Sequence, residues 1–267
     1  MHIKICVAAL VFLPLSIYAD ATFVDLGSAS SFAVLGGSTV TNTGASQIFG
    51  NVGVSPGTAI TGFPPGVLGL GSTVDSNDAL AIAAHADLGT AYTAAAMDAC
   101  GTVLTGQDLG GLTLTPGSYC FASSAQLTGM LTLNTLGNPN AVFLFQIGST
   151  LTTASASSIT FVNGSGANVF WQVGSSATLG TTTAFYGDIL ANTSITLNTG
   201  ASIECGSALA ENGAVTLDTN NISVCSSASA VPEPSSASLL LLIGAPALLW
   251  LRRRRSLNVW PYGTKAS

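Results

Sequence analysis

The chain has 267 residues, a formal net charge of −6 and only 7% charged residues, a length that fits one large domain or two small ones. All six basic residues (Lys4, Arg252 to Arg255 and Lys265) lie outside residues 22–230, whereas only Asp20 and Glu233 of the twelve acids do. A segment with no Lys or Arg cannot neutralise phosphates, so nucleic acid is excluded as a partner, and anionic lipid and acidic polysaccharide are poor ligands.

Residues 1–21 carry Lys4, an apolar run from Ile5 to Ile17 and the small-residue site Ala19-Asp20-Ala21. This is the pattern of a secretory signal peptide, too short for a membrane span. Thr22 to Phe32 then predicts an entering strand and a cap over one end of the β structure, and Ala33 to Thr61 a first coil of short strands. Phe63-Pro64-Pro65-Gly66 predicts a rigid turn. The pattern then changes. Asp75 and Ser76 offer N-caps, and Leu80, Ala84, Leu88, Ala91, Tyr92 and Ala95 recur at helical spacing, which predicts one long helix over about 76–99 ending at Gly101. Its apolar stripe is made largely of small residues, so it is expected to lie close along a flank of the β structure.

From Leu112 onward the chain returns to strands. The pattern Thr-Leu-x-Thr starts at Thr132, Thr150, Thr178, Thr196 and Thr216, at intervals of 18, 28, 18 and 20 residues. Repeats of that length, rich in Thr, Val and Ile and punctuated by Gly and Asn, predict a β-solenoid with three short strands and three corners per coil. Asn42-Thr43-Gly44-Ala45-Ser46 recurs letter for letter at Asn198 to Ser202. The N-terminal segment therefore reads as another coil of the same solenoid, separated from its siblings by the helix.

Cys6 leaves with the signal peptide. The exported remainder keeps Cys100, Cys120, Cys205 and Cys225, which allow three connectivities. Cys205 and Cys225 are 20 residues apart, the same offset as Thr196 and Thr216, so they occupy equivalent places on adjacent coils. Stacked strands are ~4.8 Å apart, within disulfide range. The expected pairs are Cys205–Cys225 and, by elimination, Cys100–Cys120.

Residues 226–230 form a small-residue linker. Val231-Pro232-Glu233-Pro234, an apolar run over 237–251 and Arg252 to Arg255 come next, with residues 256–267 as a tail. This tripartite pattern resembles the PEP-CTERM sorting signal. The resemblance implies an exosortase-type sorting enzyme as a partner, a short transmembrane helix as the sole membrane contact, and a cell-surface or secreted location.

Asn168 to Gly174, Gly187-Asp188-Ile189-Leu190-Ala191, Thr196 to Ser202 and Ala214 to Thr219, with Gly50 to Pro65 and the Ala-rich helix, together resemble the microbial ice-binding proteins. The resemblance covers about Phe23 to Cys225. It implies a mainly β fold, a discontinuous right-handed three-faced β-helix with one long α-helix packed alongside. It also implies adsorption to the ice crystal surface through a flat face, which inhibits ice growth and recrystallisation, with no cofactor, no metal and no enzymatic activity. The family's ice-facing strands carry Thr-(Ala/Gly)-x-(Thr/Asn). The segments nearest to it here assign Thr43, Ser46, Thr153, Thr181, Thr183, Thr199, Ser202 and Thr219 to the ice face. An exopolysaccharide or biofilm-matrix role, with extracellular polysaccharide as the ligand, is the alternative. His85 stands alone in the mature segment, and Asp188, Glu204, Glu211 and Asp218 are scattered through the repeats, so a triad or a glycosidase pair has little support.

Overall fold

A computed structural model describes residues 21–225, apart from residues 165 and 167. Residues 1–20 of the expected signal peptide, the expected linker, and the expected sorting tail with its apolar run lie outside the described residues. Among the described residues no helix is long and apolar enough to cross a membrane.

The short Thr-, Val- and Ile-rich segments form strands of two to six residues, and every pairing between them is parallel. They stack into three sheets of nine, seven and eight strands. Successive segments of one coil go to different sheets: Ile195–Leu197, Ser202–Glu204 and Ala208–Ala210 lie one on each. Alternation puts every second side chain inside. Leu151, Leu179, Leu197 and Leu217 are fully or almost fully buried. The interior also holds an aromatic column. Tyr119, Phe145 and Trp171 stand in register on adjacent coils. Phe145 and Trp171 stack with ring centroids 3.8 Å apart, and Trp171 donates its indole N–H to the Tyr186 carbonyl at 3.0 Å. Burying one such large apolar side chain contributes about 1.5–3 kcal/mol, so this column anchors the coils towards the end where the helix exits.

The solenoid is discontinuous in sequence. Phe32–Gly36 pairs with Ala208–Ala210, Thr39–Asn42 with Val215–Leu217, and Gln47–Phe49 with Asn221–Ser223. The N-terminal coil therefore seals onto the C-terminal one. The chain continues outward through Asn51–Val54, Ala59–Thr61, Val67–Leu68 and Val74–Ser76 to that end of the solenoid. The helix Ala79–Met97 then carries it back to the opposite end, where Thr102–Val103 pairs with Tyr119 and Cys120. Nineteen helical residues reach ~28 Å at ~1.5 Å each, most of the ~38 Å spanned by nine strands at ~4.8 Å.

Two details of the helix differ from expectation. Asp75 and Ser76 belong to the strand Val74–Ser76, and Asp78 is the N-cap, its carboxylate accepting from the amides of Leu80 and Ala81 at 3.1 and 3.0 Å. At the other end Asp98 is already extended, and the Gln146 amide donates to the carbonyls of Ala95 and Asp98 at 2.9 and 2.8 Å. That side chain closes the helix before Gly101 can. The buried stripe is Ala81, Ala84, Leu88, Ala91 and Ala95, so Leu80 faces solvent and Tyr92 is half-buried. Ala84, Leu88, Ala91 and Ala95 form a second core with Leu35, Leu144, Phe170, Leu190 and Leu209 from the outer surface of the nine-stranded sheet.

Residues 22–31 are not a strand. They end in a short 3-10 helix, Gly27–Ser31, strapped to the helix. The Asp87 carboxylate accepts from the Ser28 amide at 2.7 Å, and Asp98 accepts from the Thr22 hydroxyl at 2.7 Å. Both disulfides are formed as expected. Cys205–Cys225 joins adjacent coils with Cα atoms 4.0 Å apart, and Cys100–Cys120 ties the helix exit to the nine-stranded sheet at 5.8 Å.

Candidate functional site

The three sheets offer different outer surfaces. The nine-stranded one is covered by the helix. The eight-stranded one is uneven, with Phe49, Met130 and Glu204 turned outward among smaller residues. The seven-stranded one is open, and its outward positions contain neither an aromatic nor a charge. Its strands are Ala125–Leu127, Leu151–Thr153, Ala177–Leu179, Ile195–Leu197, Val215–Leu217, Thr39–Asn42 and Ala59–Thr61, in that spatial order.

The central outward residue of each strand pairs in register with the next: Gln126, Thr152, Thr178, Thr196, Thr216, Thr41 and Thr61. An unbroken file of threonines thus runs along the solenoid with a step of ~4.8 Å. Thr152 and Thr61 are exposed, and the threonines between them are half-buried by their neighbours in the sheet. Among the described residues none hydrogen-bonds to the hydroxyls of Thr41, Thr152, Thr178, Thr196 or Thr216. The β-branched side chain is stiff about its first torsion, so methyl and hydroxyl are both held in place.

The residues assigned from sequence lie beside this file, at the corner leading from the seven-stranded to the eight-stranded sheet. Thr43, Thr181, Thr199 and Thr219 are exposed there, and Ser202 is half-buried at the start of the next strand. Ser46, Thr153 and Thr183 are not on the surface at all, with exposures of 0%, 3% and 0%. Thr153 is inward by alternation along its strand, and the corner explains Thr183. Ala156, Thr182, Gly200 and Thr219 take positive φ values of 58°, 56°, 73° and 57°. A left-handed residue reverses the chain sharply, which turns the next residue inward. Ser157, Thr183, Ala201 and Asn220 are accordingly buried.

The inward residues satisfy one another. The Thr153 and Thr183 hydroxyls are 2.8 Å apart, and Thr153 accepts from the Gly180 amide at 2.8 Å. Ser46 donates to Asn42 at 2.6 Å and accepts from the Asn220 amide at 2.9 Å. Of the exposed corner threonines, Thr43, Thr199 and Thr219 are engaged as well, whereas no described residue bonds to the Thr181 hydroxyl. Thr199 donates to the Asp218 carboxylate, and Thr43 to the Leu217 carbonyl at 3.2 Å.

The signal for the file is present in the sequence: Thr178, Thr196 and Thr216 open the repeated Thr-Leu-x-Thr. The family's ice-face pattern instead points to the second threonine of each copy, which falls at the corner. Not every copy is equivalent, since Thr132 lies on the eight-stranded sheet and Thr150 lies one residue before its strand.

The ionisable groups are dispersed. His85 faces the Glu211 carbonyl, with Nε2 at 2.6 Å. Asp188 is on the helix side of the nine-stranded sheet, Glu204 on the eight-stranded sheet, and Asp218 at the threonine corner. Burial pushes the Asp188 carboxyl up to about 7 against a single hydrogen bond from Ser207. Asp87 is held below the ordinary value by the Ser28 hydroxyl and amide. Asp98, although raised by burial, is held below it by Thr22 and Ser118. Asp87, Asp98 and His85 fasten the strap and helix to one another and to the solenoid.

The model of the family described as ice-binding-like matches residues 34–223. The chain belongs to the ice-binding-like family. It is 57% identical over 240 residues to an ice-binding protein of Nostoc sp. (strain HG1), covering 88% of each chain. It is 38% identical over 213 residues to an ice-binding protein of a Colwellia species, covering 74% of this chain and 83% of that one. The crystal structure of an ice-binding protein from an Antarctic biological consortium superposes with a TM-score of 0.74 at 46% identity, over 80% of this chain and 96% of that one. The ice-binding-like match begins and ends within the stacked coils, and so contains the whole threonine file from Thr41 to Thr216.

Proposed function

We propose that this protein adsorbs to ice through the seven-stranded face, with Thr41, Thr152, Thr178, Thr196 and Thr216 at its centre and the exposed corner threonines along one edge. The observation that carries the reading is the in-register file of threonines whose hydroxyls are left unused by the described residues. An ice surface carries no ions, so a binder needs no Lys or Arg, in keeping with their absence from residues 22–230. It needs methyls and hydroxyls at a regular spacing on a rigid support. Parallel coils supply the spacing, and stiff side chains have little rotamer freedom to lose on binding. Adsorbed molecules make the ice front bulge between them, which raises the cost of further growth and slows recrystallisation. Membership in the ice-binding-like family and the similarity to the Nostoc and Colwellia proteins support this reading. No covalent step is part of it.

The sequence patterns at both ends extend the reading to export: residues 1–21 as a signal peptide, and residues 231–255 as a sorting signal processed by an exosortase-type enzyme. The paired cysteines suit an oxidising, extracellular location. Single ice crystals grown in the purified protein test the proposal. Faceted crystals with a hysteresis gap are the expected result, and round crystals growing freely at the melting point would contradict it.

A further inference from the structure

Beside the threonine file runs a second file on the same open surface. It consists of the residue two positions earlier on each coil: Ser124, Thr150, Ser176, Ser194, Ala214, Thr39 and Ala59. These residues share the outward parity of the first file and are exposed or half-buried. Residues i and i+2 of a strand are ~6.7 Å apart, so the two files would form a two-dimensional grid. The grid is full on the second strand from each end, where Thr39 and Thr150 stand beside Thr41 and Thr152. It is thin in the middle. Ser176, Ser194 and Ala214 stand beside Thr178, Thr196 and Thr216 and lack the methyl group. The serine oxygens also accept bonds within the protein. Ser176 accepts from the Ser194 amide at 3.3 Å, and Ser194 from the Ala214 amide at 3.2 Å.

We infer that Ser176, Ser194 and Ala214 are the specificity-determining positions of the face, restricting the grip of the seven-stranded sheet itself to a single file of threonines along the solenoid axis. The inference rests on the ice reading above and deepens it. With one complete file, register with ice is fixed in one direction only. The protein therefore holds those crystal planes that match a ~4.8 Å row and discriminates weakly across it. Thr39 and Thr150 show that this file accepts threonine at the same place in the coil. In Thr150 the hydroxyl also bonds along the file, donating to Ser124 at 2.8 Å.

The test is the full-length protein carrying Ser176→Thr, Ser194→Thr and Ala214→Thr together, compared with wild type for hysteresis and for the planes covered when fluorescently labelled protein is grown into an ice hemisphere. The expected result is that the variant reaches the wild-type hysteresis gap at a lower concentration and covers additional planes. The converse pair, Thr39→Ser with Thr150→Ser, should shrink the gap with an unchanged melting temperature, and it keeps the test decisive if the triple variant does not fold. A wild type that binds ice, with hysteresis and plane coverage unchanged in both variants, would overturn the inference while leaving the ice reading intact. A wild type without hysteresis would overturn both.

Discussion

Thr178 and Thr196 project from neighbouring coils in register, and neither hydroxyl has a partner among the described residues. A charge placed between them would bring its own hydration shell onto a face that otherwise carries none. Thr178→Lys is therefore expected to remove most of the hysteresis. Because the side chain points to solvent, stability should change by no more than about 0.5 kcal/mol. Nanolitre osmometry and a thermal melt on the same sample check both halves.

The buried corner residues should behave in the opposite way. Ser46→Ala would leave the Asn220 amide and the Asn42 carbonyl oxygen without their partner. An unsatisfied buried polar group costs about 1–3 kcal/mol. Denaturant unfolding should report that loss, while hysteresis per folded molecule stays at the wild-type level.

Cys205–Cys225 closes a loop of sequence separation 20. In the chain-entropy account a loop of that length contributes about 3 kcal/mol. Cys205→Ser with Cys225→Ser should lower the urea midpoint accordingly. Since the pair lies at the corner between the eight- and nine-stranded sheets, away from the threonine file, ice-crystal faceting should survive at temperatures where the variant is folded.

Asp188 gives the stability a pH dependence of definite sign. Its carboxyl rises from 3.8 to about 7 in the folded state. Between those values the folded protein binds more protons than the unfolded chain, so stability falls as pH rises from about 4 to about 7 and levels off above. Asp87 and Asp98 are lowered from 3.8. Their contribution is present above that value and is lost as pH falls below it. The unfolding midpoint should therefore peak in mildly acidic solution, and Asp188→Asn should flatten its alkaline side. Midpoints measured at pH 5 and pH 8 for both proteins decide the matter.

Much of this architecture is legible in the sequence because a solenoid repeats its constraints. The interval between Thr196 and Thr216 sets the coil length, and the same interval between Cys205 and Cys225 sets a disulfide. The echo of Asn42 to Ser46 at Asn198 to Ser202 exposes the discontinuity. The conformation of the corners is not legible in the same way. Thr182 and Thr219 adopt left-handed backbone without being Gly or Asn, so nothing in the letters marks the place where alternation breaks. Without that mark Thr183 reads as surface, and Thr178 has no advantage over it. The helix stripe is displaced for a related reason. With Leu80 and Ala81 adjacent, apolarity alone favours the leucine, whereas the close approach to the sheet favours the smaller residue.

The central claim is that one face, rather than threonine content, grips ice. Thr132 and Thr196 head identical Thr-Leu-Asn-Thr segments but lie on different sheets. Hysteresis should be measured for Thr196→Tyr and Thr132→Tyr side by side with the wild type. Thr196→Tyr should lose nearly all activity and Thr132→Tyr should keep it, both with wild-type melting temperatures. Equal losses, or a loss confined to Thr132→Tyr, would contradict the claim.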